Sequence, residues 1–189
     1  MGDYHNIREL ERGEAVFIDT ELNVTSKIIM QKREAFCSFE QVYFSEIEST
    51  ILEEKVYITR EKLGEALANT FSHLKDRIDR VVAVPRTPEV AAIKLARLWN
   101  KDYGGIVKRS GVDVRSFLEP TEEKRKKASE LKYIYIKPLL ENKRIAVVDD
   151  SIVRGTTSCE IVNNLKDLGV REIHFFSMYP TIMYPCRYG

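Results

Sequence analysis

Two adjacent carboxylates followed by a turn rich in hydroxyl groups are the residues with the clearest chemical potential. Asp149 and Asp150 come directly after the apolar residues 145–148, and the chain continues as Ser-Ile-Val-Arg-Gly-Thr-Thr-Ser over residues 151–158. The free N–H groups at the start of a helix, together with hydroxyls, can bind a phosphate, and Gly155 permits close backbone approach or a positive φ. Carboxylates beside a phosphate would repel it unless they face ribose hydroxyls or a hard cation such as Mg2+. The pattern therefore predicts a site for a phosphorylated sugar with a metal nearby.

A plainer interpretation of the same segment is a strand followed by a capped helix, with solvated aspartates and a Thr or Ser cap. Each feature alone favours that interpretation, whereas all of them in this order favour the ligand site. The segment lacks the Gly-Lys-Ser/Thr ending of a Walker P-loop and the three spaced glycines of a dinucleotide fingerprint. A phosphate site of a different kind is therefore the hypothesis.

The elements that must position these residues alternate between strand and helix from about residue 59 onward. Short β-rich apolar runs predict buried strands, and apolar residues at helical spacing predict amphipathic helices. The strands are predicted at 81–84, 145–148 and 173–178, and the helices around 63–74, 92–99 and 161–168, the last ended by Gly169. This alternation predicts an α/β fold with a doubly wound, mostly parallel sheet covered on both faces. Ligands of such sheets bind beyond the carboxyl ends of the strands, where Asp149 and Asp150 are expected.

Two stretches interrupt this alternation within what we expect to be a single domain. Residues 1–58 suggest a small strand-and-turn portion packed on the core of 59–189, with candidate strands at 16–18 and 41–44. Residues 108–132 are rich in Lys and Arg and poor in core-forming residues. A charged connection of this length is typical of a flexible lid over a site, and a solvated surface loop is the equal alternative.

Composition narrows the class of protein and its compartment. The chain has 189 residues, 43% hydrophobic and 31% charged, with a net charge of +1, which disfavours nucleic-acid or membrane partners. No apolar run approaches the roughly 20 residues of a membrane span, and no secretory signal is visible. The three cysteines are an odd number without a disulfide framework. A cytoplasmic protein is expected.

The 149–158 segment resembles the phosphoribosyl pyrophosphate (PRPP) signature of the type I phosphoribosyltransferases, and most closely that of the amidophosphoribosyltransferases. Four further segments are similar to that family, and the similarity covers nearly the whole chain. They are Arg-Glu-Leu-Glu-Arg-Gly-Glu at 8–14, Cys-Ser-Phe-Glu-Gln-Val-Tyr-Phe at 37–44, Arg-Ser-Phe-Leu at 115–118 and Tyr-Pro-Cys-Arg-Tyr-Gly at 184–189. The similarity extends only to the phosphoribosyltransferase half of the enzyme.

The resemblance implies a type I phosphoribosyltransferase fold and a glycosyltransferase that converts PRPP and ammonia into 5-phosphoribosylamine and pyrophosphate in purine biosynthesis. It implies that Asp149 and Asp150 hold the ribose hydroxyls and Mg2+, and that the following turn holds the 5′-phosphate. The turn residues carried over are Ser151, Arg154, Gly155, Thr156, Thr157 and Ser158. The pyrophosphate would be bound by Lys108, Arg109 and Arg115 of the lid, by Lys132, and by Arg86 and Thr87. Cations there would stabilise the leaving charge, and a closed lid would exclude water.

The sequence departs from the family pattern at three places. The resemblance does not include the family's glutaminase portion with its nucleophilic Cys, and position 2 is Gly2, so ammonia is expected either free or from a separate glutaminase subunit. The pyrophosphate loop has Arg86 in place of an acidic residue and Pro88 removes a backbone donor, and Glu130 follows Ser129 where the family has Val-Arg. These changes keep open the alternative of a non-catalytic PRPP-binding regulatory protein. A nucleobase phosphoribosyltransferase is a second alternative, against which the closer similarity to the amidophosphoribosyltransferases argues.

Two further expectations come from the resemblance. Some members carry an iron–sulfur cluster on four cysteines, of which only Cys37 and Cys186 are matched, so reduced structural cysteines are expected in place of a cluster. The family also suggests a homo-oligomer. Among these expectations, the PRPP site is the one that the largest number of matching residues supports.

Overall fold

A computed structural model describes residues 8–30, 36–108, 132–182 and 184. The chain divides into two compact units, residues 1–37 and residues 38–189. The division predicted after residue 58 remains a prediction. No helix among the described residues is both long and apolar enough to cross a bilayer.

The first unit contains a two-stranded antiparallel hairpin. Strand β1 (Glu14–Ile18) pairs with β2 (Val24–Ile28), and Glu14 lies opposite Ile28. The strand predicted at 16–18 is thereby confirmed. Arg8 donates two hydrogen bonds to the Glu14 carboxylate, at 2.8 and 2.6 Å, and this contact is the first cause that holds the Glu14 pKa at about 2.

The second unit begins with a helical turn where a strand was predicted. Residues 41–44 lie in the turn Glu40–Phe44, in which the Ser45 N–H bonds the Glu40 carbonyl at 2.9 Å. The strand prediction is therefore wrong. The physical reason lies in the aromatic spacing, because the Phe39 ring contacts the rings of Tyr43 and Phe44 at 5.4 and 5.5 Å. In an extended strand, residues four or five positions apart are separated by roughly 13–17 Å, so these ring contacts require a backbone that folds back, as a helical turn does.

A short hairpin then leads into two packed helices. Strands β3 (Thr50–Ile51) and β4 (Glu54–Lys55) pair antiparallel and precede helix α1 (Val56–Thr70). The helix predicted at 63–74 is confirmed with different ends: α1 begins earlier, at Val56, and ends at Thr70, and a 3-10 turn covers Ser72–Arg77. A side chain at Gly64 would overlap the backbone of Ala91, which shows how closely α1 approaches the helix that carries Ala91.

A parallel four-stranded sheet forms the centre of this unit, as predicted. The remaining elements are β5 (Arg80–Ala83), α2 (Glu89–Trp99), β6 (Asp102–Tyr103), β7 (Ile106–Lys108), β8 (Tyr133–Tyr135), α3 (Lys137–Leu140), β9 (Arg144–Asp149), α4 (Thr156–Asp167) and β10 (Glu172–Ser177). The sheet order is β10-β9-β5-β6, with all pairs parallel, and β7 pairs antiparallel with β8 in a separate ribbon.

Each face of the sheet is buried against helices. Val81, Ala146 and Val148 belong to a core that includes α1 and α2 residues such as Leu67 and Leu95. Their neighbours Val82, Ile145 and Val147 belong to a second core with Leu140, Ile161 and Leu165 from α3 and α4. Because successive strand residues point to opposite faces, burial on both sides requires the continuous apolar runs seen in the sequence. The α/β architecture predicted from those runs is confirmed.

An ion pair at the amino ends of β5 and β9 gives a test of stability. Asp79 accepts hydrogen bonds from the Arg144 backbone N–H at 2.9 Å and from its guanidinium at 2.6 Å. These bonds lower the Asp79 pKa to about 2. The stabilisation is therefore fully present above the ordinary carboxyl pKa of about 4 and is lost as the pH falls toward 2.

We expect Asp79→Asn to lower the free energy of unfolding at pH 7 by about 1–2 kcal/mol. Urea unfolding at pH 7 and at successive pH values below 4 measures this. The difference from the wild type should shrink as the pH falls. The matched control is Asp76→Asn, at an exposed position in the preceding turn, and an equal loss in both variants would contradict the role of the ion pair.

Candidate functional site

The carboxyl edge of the central sheet holds the two aspartates on a fixed backbone. Strand β9 ends at Asp149, whose carbonyl accepts the Met178 N–H at 2.9 Å. The Asp150 carbonyl accepts the Tyr179 N–H at 3.0 Å. Both residues are therefore held by the chain that follows β10, just beyond the last register pair of the sheet.

The environment of the two carboxylates is unusual for acidic residues. Asp149 is only 8% exposed, and its pKa is raised to about 7, mainly by burial and next by the negative charge of Asp150. Its carboxylate accepts the Asp150 backbone N–H at 2.9 Å. Burial also raises the pKa of Asp150, against the hydrogen bond from the Ser151 hydroxyl, 2.8 Å long. Groups that are buried and charged in this way are typical of ligand sites.

Two cations act on this pair of carboxylates. The positive charge of Lys132 opposes the rise in pKa at both aspartates, and that of Arg60 opposes it at Asp150. The Lys132 ammonium lies 5.2 Å from the centre of the Tyr133 ring. The edge therefore combines carboxylates with positive charge, as a site for a polyanion with an associated metal requires.

The Asp149 and Asp150 carboxylates suit Mg2+ that is bound together with waters and a phosphorylated ligand. Within the described ranges, no group of three or more His, Cys, Asp or Glu side chains converges on one point. Mg2+ is commonly held by one or two carboxylates, with waters and substrate phosphates completing its octahedral shell. Asp149 and Asp150 would supply that small protein contribution, so the residues suit a metal that arrives with a phosphorylated substrate.

The turn after Asp150 leads into an open helix N-terminus. Gly155 precedes α4 with φ +76°, and a Cβ built there would have no atom within 4 Å. Thr156 and Thr157 are exposed, whereas the Ser158 hydroxyl donates to the Gly155 carbonyl at 3.0 Å. Helix N–H groups pointing into open space form an anion site. The geometry is therefore suited to a phosphate beside Gly155.

The loop after β5 lies at the same edge, because β5 and β9 are adjacent parallel strands. Arg86 is exposed, Thr87 is half-buried, and the peptide bond between Pro85 and Arg86 is cis. The positive charge of Arg86 acts against the burial that raises the Glu89 pKa. The structure thus places this loop beside the aspartates, with a cation at the position where the resemblance expects an acid.

The remaining predicted residues are placed only in part. Arg154 is exposed in the turn before α4. Lys108 ends β7 and pairs with Tyr133 of β8 in the antiparallel ribbon, on either side of the segment predicted as a lid. Arg109, Arg115 and the rest of the predicted lid up to residue 131 lie outside the described residues, as does Cys186. Cys37 is an exposed free thiol.

Arg60 is a residue near the site that the sequence prediction missed. It lies on α1 and is only 5% exposed. A signal was available in the sequence, because position 60 lies four residues after Val56 and three before Leu63, on the stripe expected to face the core. A charged residue on such a stripe is rarely buried without a partner.

No family model matches the chain, whereas individual curated proteins match it along nearly its whole length. It is 38% identical to the amidophosphoribosyltransferase of Methanothermobacter thermautotrophicus, over 97% of this chain and 38% of that protein. It is also 38% identical to the chloroplastic amidophosphoribosyltransferase 3 of Arabidopsis thaliana, over 96% of this chain and 34% of that protein. The chain therefore spans little more than a third of the relatives it matches.

Solved structures agree with the curated relatives. The glutamine PRPP amidotransferase from B. subtilis, complexed with ADP and GMP, superposes with a TM-score of 0.75 at 35% identity, over 95% of this chain and 39% of that one. A structure described as the allosteric regulatory enzyme of purine biosynthesis gives the same TM-score and identity, over 38% of its chain. The chain is therefore a relative of the amidophosphoribosyltransferases that corresponds to little more than a third of their length, and its fold is that of the type I phosphoribosyltransferases.

Proposed function

We propose that the chain transfers the phosphoribosyl group of PRPP to ammonia, in the presence of Mg2+, to form 5-phosphoribosylamine and pyrophosphate in purine biosynthesis. The observation that carries the proposal is the Asp149–Asp150 pair at the carboxyl edge of β9, followed directly by the open N-terminus of α4. Similarity to amidophosphoribosyltransferases over 96–97% of the chain supports it.

In this proposal the chain binds the 5′-phosphate and the ribose of PRPP with separate groups of residues. The backbone N–H groups at the start of α4, with Thr156 and Thr157, hold the 5′-phosphate, and Ser151 and Arg154 border it. Asp149 and Asp150 accept hydrogen bonds from the ribose hydroxyls. Holding the sugar at both places fixes the C1 carbon relative to the sheet edge, which lowers the entropic part of the barrier.

The reaction breaks the bond between C1 and the pyrophosphate oxygen and forms a bond from C1 to the ammonia nitrogen, which then loses a proton. Negative charge develops on the leaving pyrophosphate. Lys132, Arg86 and the backbone of Thr87 would stabilise that charge, with Lys108, Arg109 and Arg115 as the proposed lid cations. Bound Mg2+, held by Asp149 and Asp150, would supply additional positive charge to the same oxygens.

The experiment that tests the proposal is pyrophosphate release from PRPP and Mg2+, measured with and without ammonium at alkaline pH. We expect release that depends on ammonium and stops when EDTA removes the metal. A separate glutaminase subunit would make glutamine an alternative ammonia source, and its absence from the assay does not affect the ammonium reaction. An absence of ammonium-dependent pyrophosphate release would contradict the proposal.

The presence of Arg86 favours a second candidate function, that of a cytoplasmic protein that binds PRPP without catalysing its reaction with ammonia. A cation in the pyrophosphate loop can strengthen binding of the anion while disturbing the metal arrangement that catalysis needs. This candidate predicts a higher Tm with PRPP and Mg2+ and no ammonium-dependent pyrophosphate. The same assay, combined with a thermal shift, therefore separates the two functions. Size-exclusion chromatography tests the homo-oligomer that the family suggests.

A further inference from the structure

A buried cation, Arg60, joins helix α1 to the Glu40–Phe44 turn. The Arg60 guanidinium donates hydrogen bonds to the Gln41 carbonyl at 3.2 Å and to the Ser45 carbonyl at 2.9 Å. These carbonyls flank the C-terminal half of the Glu40–Phe44 turn, where helical carbonyls need external donors. Arg60 therefore fixes the position of this turn on α1.

The same turn is attached to the chain that holds Asp150. The Ser38 and Tyr179 hydroxyls lie 3.1 Å apart, and the Phe39 ring packs edge-on against the Tyr179 ring at 5.0 Å. The Tyr179 N–H in turn bonds the Asp150 carbonyl. The backbone of Asp150 is thus linked to the segment that Arg60 fastens.

Arg60 also reaches Asp150 through its charge. Burial disfavours the guanidinium charge, and the negative charges of Asp150 and Glu46 favour it. A cation that is 95% buried needs such compensation. The residue therefore acts on Asp150 in two ways, through the backbone of the 38–45 segment and through its electric field.

We propose that Arg60 is a positioning residue that holds the Asp150 carboxylate and the adjacent 38–45 segment in the geometry that binds PRPP. This rests on the proposed function. Arg60 itself does not touch the substrate. Its effect is expected in PRPP affinity, because the bound sugar needs the carboxylate and the neighbouring turn in fixed positions.

The test compares Arg60→Met and Arg60→Lys with Lys62→Met, a control on the same helix whose cation pairs with Glu54 instead. Calorimetry measures the Kd for PRPP with Mg2+. We expect Arg60→Met to weaken binding at least tenfold, Arg60→Lys to recover part of the loss, and Lys62→Met to stay within twofold of the wild type. Equal binding by wild type and Arg60→Met would overturn the role of Arg60.

A double-mutant cycle separates positioning of Asp150 from a general loss of structure. In an Asp150→Asn background, Arg60→Met should weaken PRPP binding by a smaller factor than in the wild type, because the electrostatic part of its effect is already gone and only the part that acts through the 38–45 segment remains. An undiminished effect there would overturn the coupling. If Arg60→Met does not fold, Arg60→Lys in both backgrounds gives the same comparison.

Hydrogen exchange in the protein without PRPP keeps this inference distinct from the proposed function. Arg60→Met should speed exchange at the amides of Ser45 and Tyr179, whereas Lys62→Met should not. Failure of the wild type to bind PRPP would overturn the proposed function. Unchanged exchange at these two amides in Arg60→Met would overturn the structural role of Arg60, whatever the wild type binds. Binding by the wild type with unchanged exchange in Arg60→Met overturns Arg60 alone.

Discussion

Replacing Asp149 and Asp150 together with Asn should reduce ammonium-dependent pyrophosphate release at least a thousandfold, to the level without enzyme. Both side chains would still fit, because Asn has nearly the same shape as Asp. What is lost is the negative charge that would hold Mg2+ and the strong acceptors for the ribose hydroxyls. A steady-state assay of pyrophosphate release at saturating PRPP measures the change.

The loss should occur without loss of folding, and stability provides the control. The Asp149 pKa is raised to about 7, so its protonated form is favoured in the folded protein. A raised carboxyl pKa contributes stability below the ordinary value of about 4, and this contribution is lost as the pH rises through 7. At pH 8 the wild type without metal therefore carries a buried charge that Asn removes. We expect the single variant Asp149→Asn to melt a few degrees higher than the wild type at pH 8.

Two results would contradict this assignment. Full turnover by the double variant would exclude the aspartates from the site. A lower Tm for Asp149→Asn at pH 8 would mean that its hydrogen bond to the Asp150 N–H stabilises more than its buried charge destabilises. A gain in stability together with lost activity is the pattern expected of a functional site built at a cost to folding.

The sequence predicted the central sheet because its strands are buried on both faces and so contain continuous apolar runs. The runs at 81–84 and 145–148 have no polar interruption, and this left few alternatives to parallel strands. The placement of Asp149 and Asp150 at the end of β9 followed from the same logic, since the carboxyl ends of parallel strands meet at one edge. The central sheet and the position of the two aspartates at its edge were therefore the features easiest to predict.

Contacts between residues distant in the chain explain what the sequence prediction missed. The 41–44 segment has the β-branched and aromatic residues of a strand, yet it forms a helical turn that the distant Arg60 holds through the Gln41 and Ser45 carbonyls. Arg60 itself gave a weak signal, because its partners are backbone carbonyls about 15 to 19 residues earlier. Such contacts have no local spacing rule and need the fold before they can be assigned.

Replacing Gly155 with Ala should raise the Kd for PRPP at least tenfold while leaving the protein folded. Gly155 has φ +76°, so a side chain there strains the backbone by roughly 1 kcal/mol. The added methyl group contacts no protein atom within 4 Å, and it extends into the space before α4 where the 5′-phosphate is proposed to sit. The methyl group should therefore weaken PRPP binding more than it destabilises the free protein. Calorimetry and the KM for PRPP measure this loss of affinity.

Gly169 at the other end of α4 is the matched control for this prediction. It has a similar φ of +83°, and a methyl group there would meet Glu141 at an ordinary 3.6 Å. Both variants should lose similar stability from backbone strain, but only Gly155→Ala should lose PRPP affinity. Equal affinities in the two variants would place the phosphate elsewhere. Because the strain is matched and only the ligand space differs, the comparison tests the helix N-terminus as an anion site separately from the aspartates.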